Sequence, residues 1–224
     1  MSLLHFPFVP GFDIPVGLGD LYQRLSRKAI HVRLLPAGST SPEGTTCNVF
    51  RPEWMSEGML AFGSAGPAGN QRTVLLHGWP LDRTIWSEVA GPLVVAEQCV
   101  LYPDLPGFGD SPSLAEGHWT VEAYADEVAT LLRHLGSEPV ALAGHSFGGY
   151  VALALADRHP DLVAGLGLVS SRTIADSEAQ RKGRHEAIAK VRARGSRVLL
   201  PDLARKLLAP AASQPLLDRA TRIL

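Results

Sequence analysis

Cysteine is nearly absent. The 224 residues contain two, Cys47 and Cys99, far apart and in no metal-ligand or redox spacing. That excludes a disulfide framework and a structural zinc site, and both read as reduced, buried small residues. An excess of either charge is also missing, since 21 Lys and Arg face 22 Asp and Glu for a formal net charge of −1. Such a balance gives no reason to expect nucleic acid or an acidic membrane as partner. The basic stretch from Arg181 to Arg197 contains Glu186 and is spaced as a solvated helix face. No apolar run approaches the ~18 residues a spanning helix needs. The amino-terminal "MSLLHFPFVPGFDIPVGLG" is apolar, but Pro7, Pro10 and Pro15 break it. It has neither a basic start nor a small-residue cleavage site, so it does not read as a signal peptide and the cytoplasm is the expected location. No cofactor fingerprint stands out, and none is expected. The sequence leaves the oligomeric state open.

What is present is an ordinary globular composition, with 46% apolar residues. Three segments differ in texture. Residues 1–46 carry one short helix candidate, "LYQRLSRKAI", and loop-forming "GSTSPEGTT", and have no assigned role. Residues 47–171 alternate strand and helix patterns. Met59–Phe62 reads as a strand followed by a turn over Gly63–Asn70, and "TVLL" (73–76) and "CVLY" (99–102) read as short buried strands. Between these two lies a helix candidate from about Asp82 to Gln98 that Gly91-Pro92 interrupts. Thr120–Gly136 is strongly helical: Val121, Tyr124, Ala125, Val128, Leu131, Leu132 and Leu135 share one face, with Thr120 as N-cap. A strand over Val140–Ala143, a helix over Phe147–Arg158 and a strand over Leu162–Ser170 complete the pattern. Such alternation predicts an α/β fold, a mostly parallel sheet flanked by helices. Residues 172–224 show only helix patterns, over Ser177–Arg194, Leu203–Leu208 and Leu216–Leu224, and read as a partial helical layer. The last ends inside an apolar stripe and looks cut.

The chemistry lies in "GHSFG", Gly144 to Gly148, at a strand-to-helix corner. A serine there is either a turn residue or a nucleophile. The corner is sharp, so the residues two before and two after the serine, Gly144 and Gly148, must be small for strand and helix to close. Ser146 would then stand at a helix N-terminus whose dipole favours developing negative charge, with the Phe147 N–H aimed at the same spot. An acyl-transfer site needs a second such donor. "LLHGWP", Leu75 to Pro80, follows an earlier buried strand and offers the Trp79 N–H. His77 in that loop reads as structural rather than as a general base. "YPDLPGFGDSP", Tyr102 to Pro112, reads as an ordered rim loop held by Asp104 and Ser111 rather than as the source of a catalytic carboxylate.

Together "HGWP", "DLPGFGDSP" and "GHSFGGYVALALADRHP" resemble the α/β-hydrolase superfamily, over roughly Met59 to Leu224 and with a single-lid esterase or enol-lactonase flavour. The resemblance implies an eight-stranded, mostly parallel sheet with a helical lid beginning near Arg172. It also implies a serine hydrolase acting on a small carboxylic ester or lactone through an acyl-enzyme on Ser146, with Trp79 and Phe147 as oxyanion donors. Haloalkane dehalogenases and epoxide hydrolases are similar but carry aspartate where this chain has Ser146. The family order is Ser, then Asp or Glu, then His. Only His159 and His185 follow Ser146. About 12 helical residues at 1.5 Å each put His159 roughly 18 Å from the serine, and His185 sits on a charged helix. His145 should leave the elbow in another direction, and Asp176 or Glu178 without an imidazole makes no triad. Nucleophile and oxyanion hole are therefore expected, with base and acid missing and little activity in this chain. The alternative is a non-catalytic binding or receptor protein that keeps the fold.

Overall fold

The computed structural model describes residues 48–50, 58–66, 72–94, 99–199, 203 and 206–223. The expected helix in "LYQRLSRKAI", Cys47, and Ala204 and Arg205 of Leu203–Leu208 lie outside them. Six strands are described: β1 (Asn48–Phe50), β2 (Phe62–Ala65), β3 (Arg72–Leu76), β4 (Cys99–Pro103), β5 (Val140–His145) and β6 (Val163–Val169). They form one sheet in the order β1-β2-β4-β3-β5-β6. The strands β4, β3, β5 and β6 run parallel, and β2 and β1 add an antiparallel wing. The parallel strands read as continuous apolar runs because helices cover both faces of such a sheet. Val74, Leu76 and Val100 are accordingly fully buried, and Cys99 is buried and free.

Register places the functional loops. Leu76 at the end of β3 pairs with Gly144 near the end of β5, and His145 pairs with Val169. The loop after β3, the corner after β5 and the turn after β6 therefore leave the sheet side by side, at the carboxyl edge where α/β sheets bind ligands.

Two expectations shift. The strand expected at Met59–Phe62 begins at the last of these residues and runs over Phe62–Ala65, into the segment read as a turn. Gly63 looked like a turn former, but it is in the strand because Tyr102 of β4 lies over it; a Cβ at Gly63 would run into the Tyr102 ring. The helix expected from Asp82 is a 3-10 turn, Arg83–Trp86, followed by α1 (Ser87–Leu93). Gly91-Pro92 does not break it but sits in its last turn, and the chain becomes extended at Val94.

The remaining helices follow their sequence signals. In α2 (Val121–His134) the Thr120 Oγ1 accepts from the Ala123 N–H at 3.1 Å, and Gly136 just beyond the end has φ 61°. Its buried face is Val121, Tyr124, Ala125, Val128, Ala129, Leu131 and Leu132, while Leu135 is half-exposed at the cap. In α3 (Phe147–Arg158) every residue from Phe147 to Ala156 is buried. Such a helix needs cover on every side, and it packs on α2 and under β3, β5 and β6.

The described residues 48–174 belong to one compact unit and 175–223 to another. The second contains α4 (Glu178–Arg194) and α5 (Gln214–Ile223). Ser177 and Gln180 form a reciprocal capping box that starts α4. Asp176, just before it, is buried and accepts from Arg184 at 2.5 Å.

Among the described residues β6 pairs only with β5, so its outer edge offers free N–H and C=O groups. This edge has no charge or proline to block pairing with another chain, its one irregularity being the extra residue Ala164 near its start, and Val169 at its end is 41% exposed. A polypeptide of these 224 residues is expected to self-associate on size-exclusion chromatography. A sharp monomer peak with a cooperative melt would show that the edge is covered.

Candidate active site

The corner between β5 and α3 is set by close approach. A Cβ at Gly148 would stand 2.5 Å from the His77 carbonyl oxygen and 2.6 Å from that of Leu76. A Cβ at Gly144 would run into the Gly148 carbonyl and stand 2.5 Å from the Gly149 nitrogen. Gly149 is equally constrained, since its Cβ would meet the Ser171 hydroxyl. Helix and strands thus meet backbone to backbone. The small-residue rule at two positions from Ser146 is a contact in this structure, and Gly149 extends it by one.

Ser146 takes up the strain of that corner. Its φ is 50° and ψ −111°, a left-handed conformation that a residue with a Cβ rarely adopts, at a typical cost of about 1–3 kcal/mol. Three hydrogen bonds hold it. The Ser146 N–H donates to the Val169 carbonyl at 3.0 Å, while its own carbonyl accepts from the Gly149 N–H at 3.0 Å and the Ser171 hydroxyl at 2.8 Å. Ser146 occupies the N-cap position of α3, yet its side chain makes no capping bond. The hydroxyl is not spent on the helix.

The loop after β3 is anchored by His77, which is fully buried. Its Nδ1–H donates to the Gly78 carbonyl at 3.1 Å, and its Nε2 accepts from the Leu105 N–H at 2.9 Å. Both ring nitrogens serve backbone, and burial pushes its pKa down to about 4. It is a structural histidine, as expected. Trp79, two residues on, is 37% exposed. Phe147, the other expected oxyanion residue, is buried with its ring perpendicular to that of Tyr124 at 5.1 Å.

The rim loop after β4 is held by a buried charge pair. Asp104 is fully buried and pairs with the Arg83 guanidinium. It also accepts from the Arg83 N–H at 2.7 Å and the Asp110 N–H at 2.9 Å. Burial pushes its carboxyl up, against the pull of these donors. The Ser111 hydroxyl donates to the Asp104 carbonyl at 2.8 Å and accepts from the Ala61 N–H at 2.9 Å. With every oxygen engaged, Asp104 is a brace, as its sequence context suggested.

The two histidines after Ser146 are occupied or remote in chain. At the far end of α3, His159 Nε2–H donates to Asp126 at 2.7 Å and Nδ1 accepts from Arg133 at 3.2 Å. His185 is exposed on α4, in the second unit. Asp176 is committed to Arg184, and Glu178 lies exposed in the first turn of α4.

Residues 74–219 match the family model for the alpha/beta hydrolase fold. The chain belongs to the α/β-hydrolase fold family. Its relatives include the lipase LipV of Mycobacterium tuberculosis, 39% identical over 117 residues that make up 52% of this chain and 43% of that one. A pimeloyl-[acyl-carrier protein] methyl ester esterase of Aeromonas hydrophila is 39% identical over 98 residues, 44% of this chain and 37% of that one. Among solved structures, a thermophilic esterase from Thermogutta terrifontis superposes with a TM-score of 0.60 at 33% identity, covering 73% of this chain and 60% of that one. The matches span less than half the length of these two curated α/β hydrolases. No described helix is long and apolar enough to cross a membrane.

The anchor at His77 carries a pH signature. Its folded pKa is depressed from 6.5 to about 4, so the unfolded chain takes the proton first as pH falls. The contribution to stability is complete above pH 6.5, declines as pH drops toward 4 and is gone below it. The expected loss is about 3 kcal/mol. Urea midpoints across this window should fall more steeply for the wild type than for His77→Asn. Parallel profiles would show that His77 is not buried neutral.

Proposed function

We propose that this chain carries the nucleophile and oxyanion hole of a serine hydrolase acting on a carboxylic ester or lactone. The observation that carries the reading is Ser146: a non-glycine residue held at φ 50° between strand and helix, with its hydroxyl uncommitted to capping. Strain of that kind persists where the surroundings over-determine it, and it clusters at functional sites. In the proposed reaction Ser146 Oγ attacks the carbonyl carbon and the oxygen becomes an oxyanion facing the Trp79 and Phe147 amides. Collapse of that intermediate expels the alcohol and leaves an acyl-serine, which water then hydrolyses. The ester preference is supported by the names of the relatives, a lipase and a methyl ester esterase.

The proton of Ser146 needs an acceptor. His77 has both nitrogens on backbone groups, and His159 is bound between Asp126 and Arg133. We assign the base and its carboxylate partner to residues of the whole protein other than these. General-base help is worth roughly 10²–10⁴-fold, so the 224 residues alone should show at most trace ester hydrolysis. The same observation favours the second reading, a binding protein that keeps the fold without the chemistry.

A fluorophosphonate probe separates the two. In the whole protein it should label Ser146, and Ser146→Ala should remove labelling and ester hydrolysis together. Activity that survives Ser146→Ala would sink the nucleophile assignment. Full turnover by residues 1–224 alone would mean that one of their own side chains serves as base.

A further inference from the structure

Gly78, the residue before Trp79, sits between two histidines. Its carbonyl oxygen accepts from His77 Nδ1–H at 3.1 Å and from the Leu81 N–H at 2.9 Å. Its α-carbon faces His145: a Cβ there would stand 2.6 Å from His145 Nδ1, 3.1 Å from Cε1 and 3.1 Å from the His145 carbonyl oxygen. The same imidazole meets the Trp86 indole edge to face, with ring centroids 6.5 Å apart at 86°. Trp86 is packed into a core cluster with Ala65, Leu75 and Tyr102, so it has little freedom to yield. His145 Nδ1 is buried and makes no hydrogen bond among the described residues. Its contribution at this contact is therefore its shape, and burial keeps the ring neutral by lowering its pKa.

A peptide group is planar, so the direction of a carbonyl fixes the direction of the N–H that follows it. The Gly78 carbonyl and the Trp79 N–H belong to one such plane. Two donors aim the carbonyl, and the His145 ring limits how close the α-carbon can come. His145 is also the chain neighbour of Ser146, so the ring measures the loop from the nucleophile itself.

We infer that His145 is a positioning residue whose imidazole, wedged between Trp86 and Gly78, sets where the Trp79 amide stands relative to Ser146. This rests on the proposed role of Trp79 as an oxyanion donor. An amide displaced by a fraction of its hydrogen-bond length no longer meets the charge that develops in the transition state, while substrate binding elsewhere is untouched. The wedge therefore acts on the maximal rate and not on affinity.

The contact predicts its own suppressor. Gly78→Ala drives a methyl into the imidazole, His145→Ala removes the wedge, and in the double variant the methyl fills the space the ring has left. Of the three atoms nearest to that methyl, the one that remains is the His145 carbonyl oxygen at 3.1 Å, which a small shift accommodates. In the whole protein, fluorophosphonate labelling of Ser146 is resolved into inhibitor affinity and maximal rate for all four proteins, per folded molecule. Each single variant should lose about tenfold or more in maximal rate, short of the 10²–10³-fold that removal of an oxyanion donor costs. Affinity should hold within about threefold, as expected for loss of transition-state stabilisation alone. The double variant should be faster than either single one. His145→Asn, which keeps a flat side chain of shorter reach, should be intermediate and serves where an alanine variant does not fold. Equal rates in all variants, or losses that simply add, would overturn the wedge and leave the esterase reading standing. An unsubstituted protein that is never labelled at Ser146 would overturn that reading and this one with it.

Discussion

The backbone contact between the first turn of α3 and the end of β3 is the constraint on which the site depends. Gly148 rests on the carbonyls of Leu76 and His77 with no room for a methyl group. That contact holds the corner against the sheet and leaves Ser146 in its left-handed conformation. It also ties the serine to the loop bearing Trp79, because the same His77 carbonyl that meets Gly148 belongs to the residue that begins that loop. Sheet register makes the contact available in the first place: Leu76 and Gly144 are paired partners on adjacent parallel strands. Ser146 and this loop are thus neighbours by pleat and pairing before any side chain is considered.

Around this contact the polar groups are arranged to immobilise backbone. His77 joins the β3 loop to the rim loop through Gly78 and Leu105. Asp104 joins the rim loop to the turn after β3 through Arg83. Ser111 joins the rim to the residues before β2 through Ala61. A buried charge pair of this kind is weak evidence for stability, because desolvation offsets much of the attraction. Its value here is geometric. Donors aimed at a developing charge accelerate a reaction only when they do not have to reorganise, and these braces remove that freedom from the loop that carries Trp79, the proposed donor.

Much of this was legible in the sequence, for identifiable reasons. Thr120, Gly136 and the apolar face between them marked α2, because capping and periodicity are local properties. The elbow was legible because a sharp strand-to-helix corner leaves no room for side chains at Gly144 and Gly148. His77 and Asp104 were readable as braces from their position in turn-rich loops, since buried polar groups there must bond backbone. What the sequence concealed depends on residues distant in the chain. Gly63 is in a strand because of Tyr102, and Gly78 is crowded because of His145. Gly149 is crowded because of Ser171. The helix through Gly91-Pro92 shows the opposite error, a breaker given weight it lacks when it falls in a last turn.

The central claim is that the corner presents Ser146 to a carbonyl whose oxygen lies between the amides of Trp79 and Phe147. A crystal structure of the phosphonylated whole protein tests it directly. The claim predicts a covalent bond at Ser146 Oγ, with the phosphoryl oxygen about 2.7–3.1 Å from both backbone nitrogens, the range in which oxyanion donors act. A phosphoryl oxygen turned to solvent, or an adduct on any other residue, would contradict it.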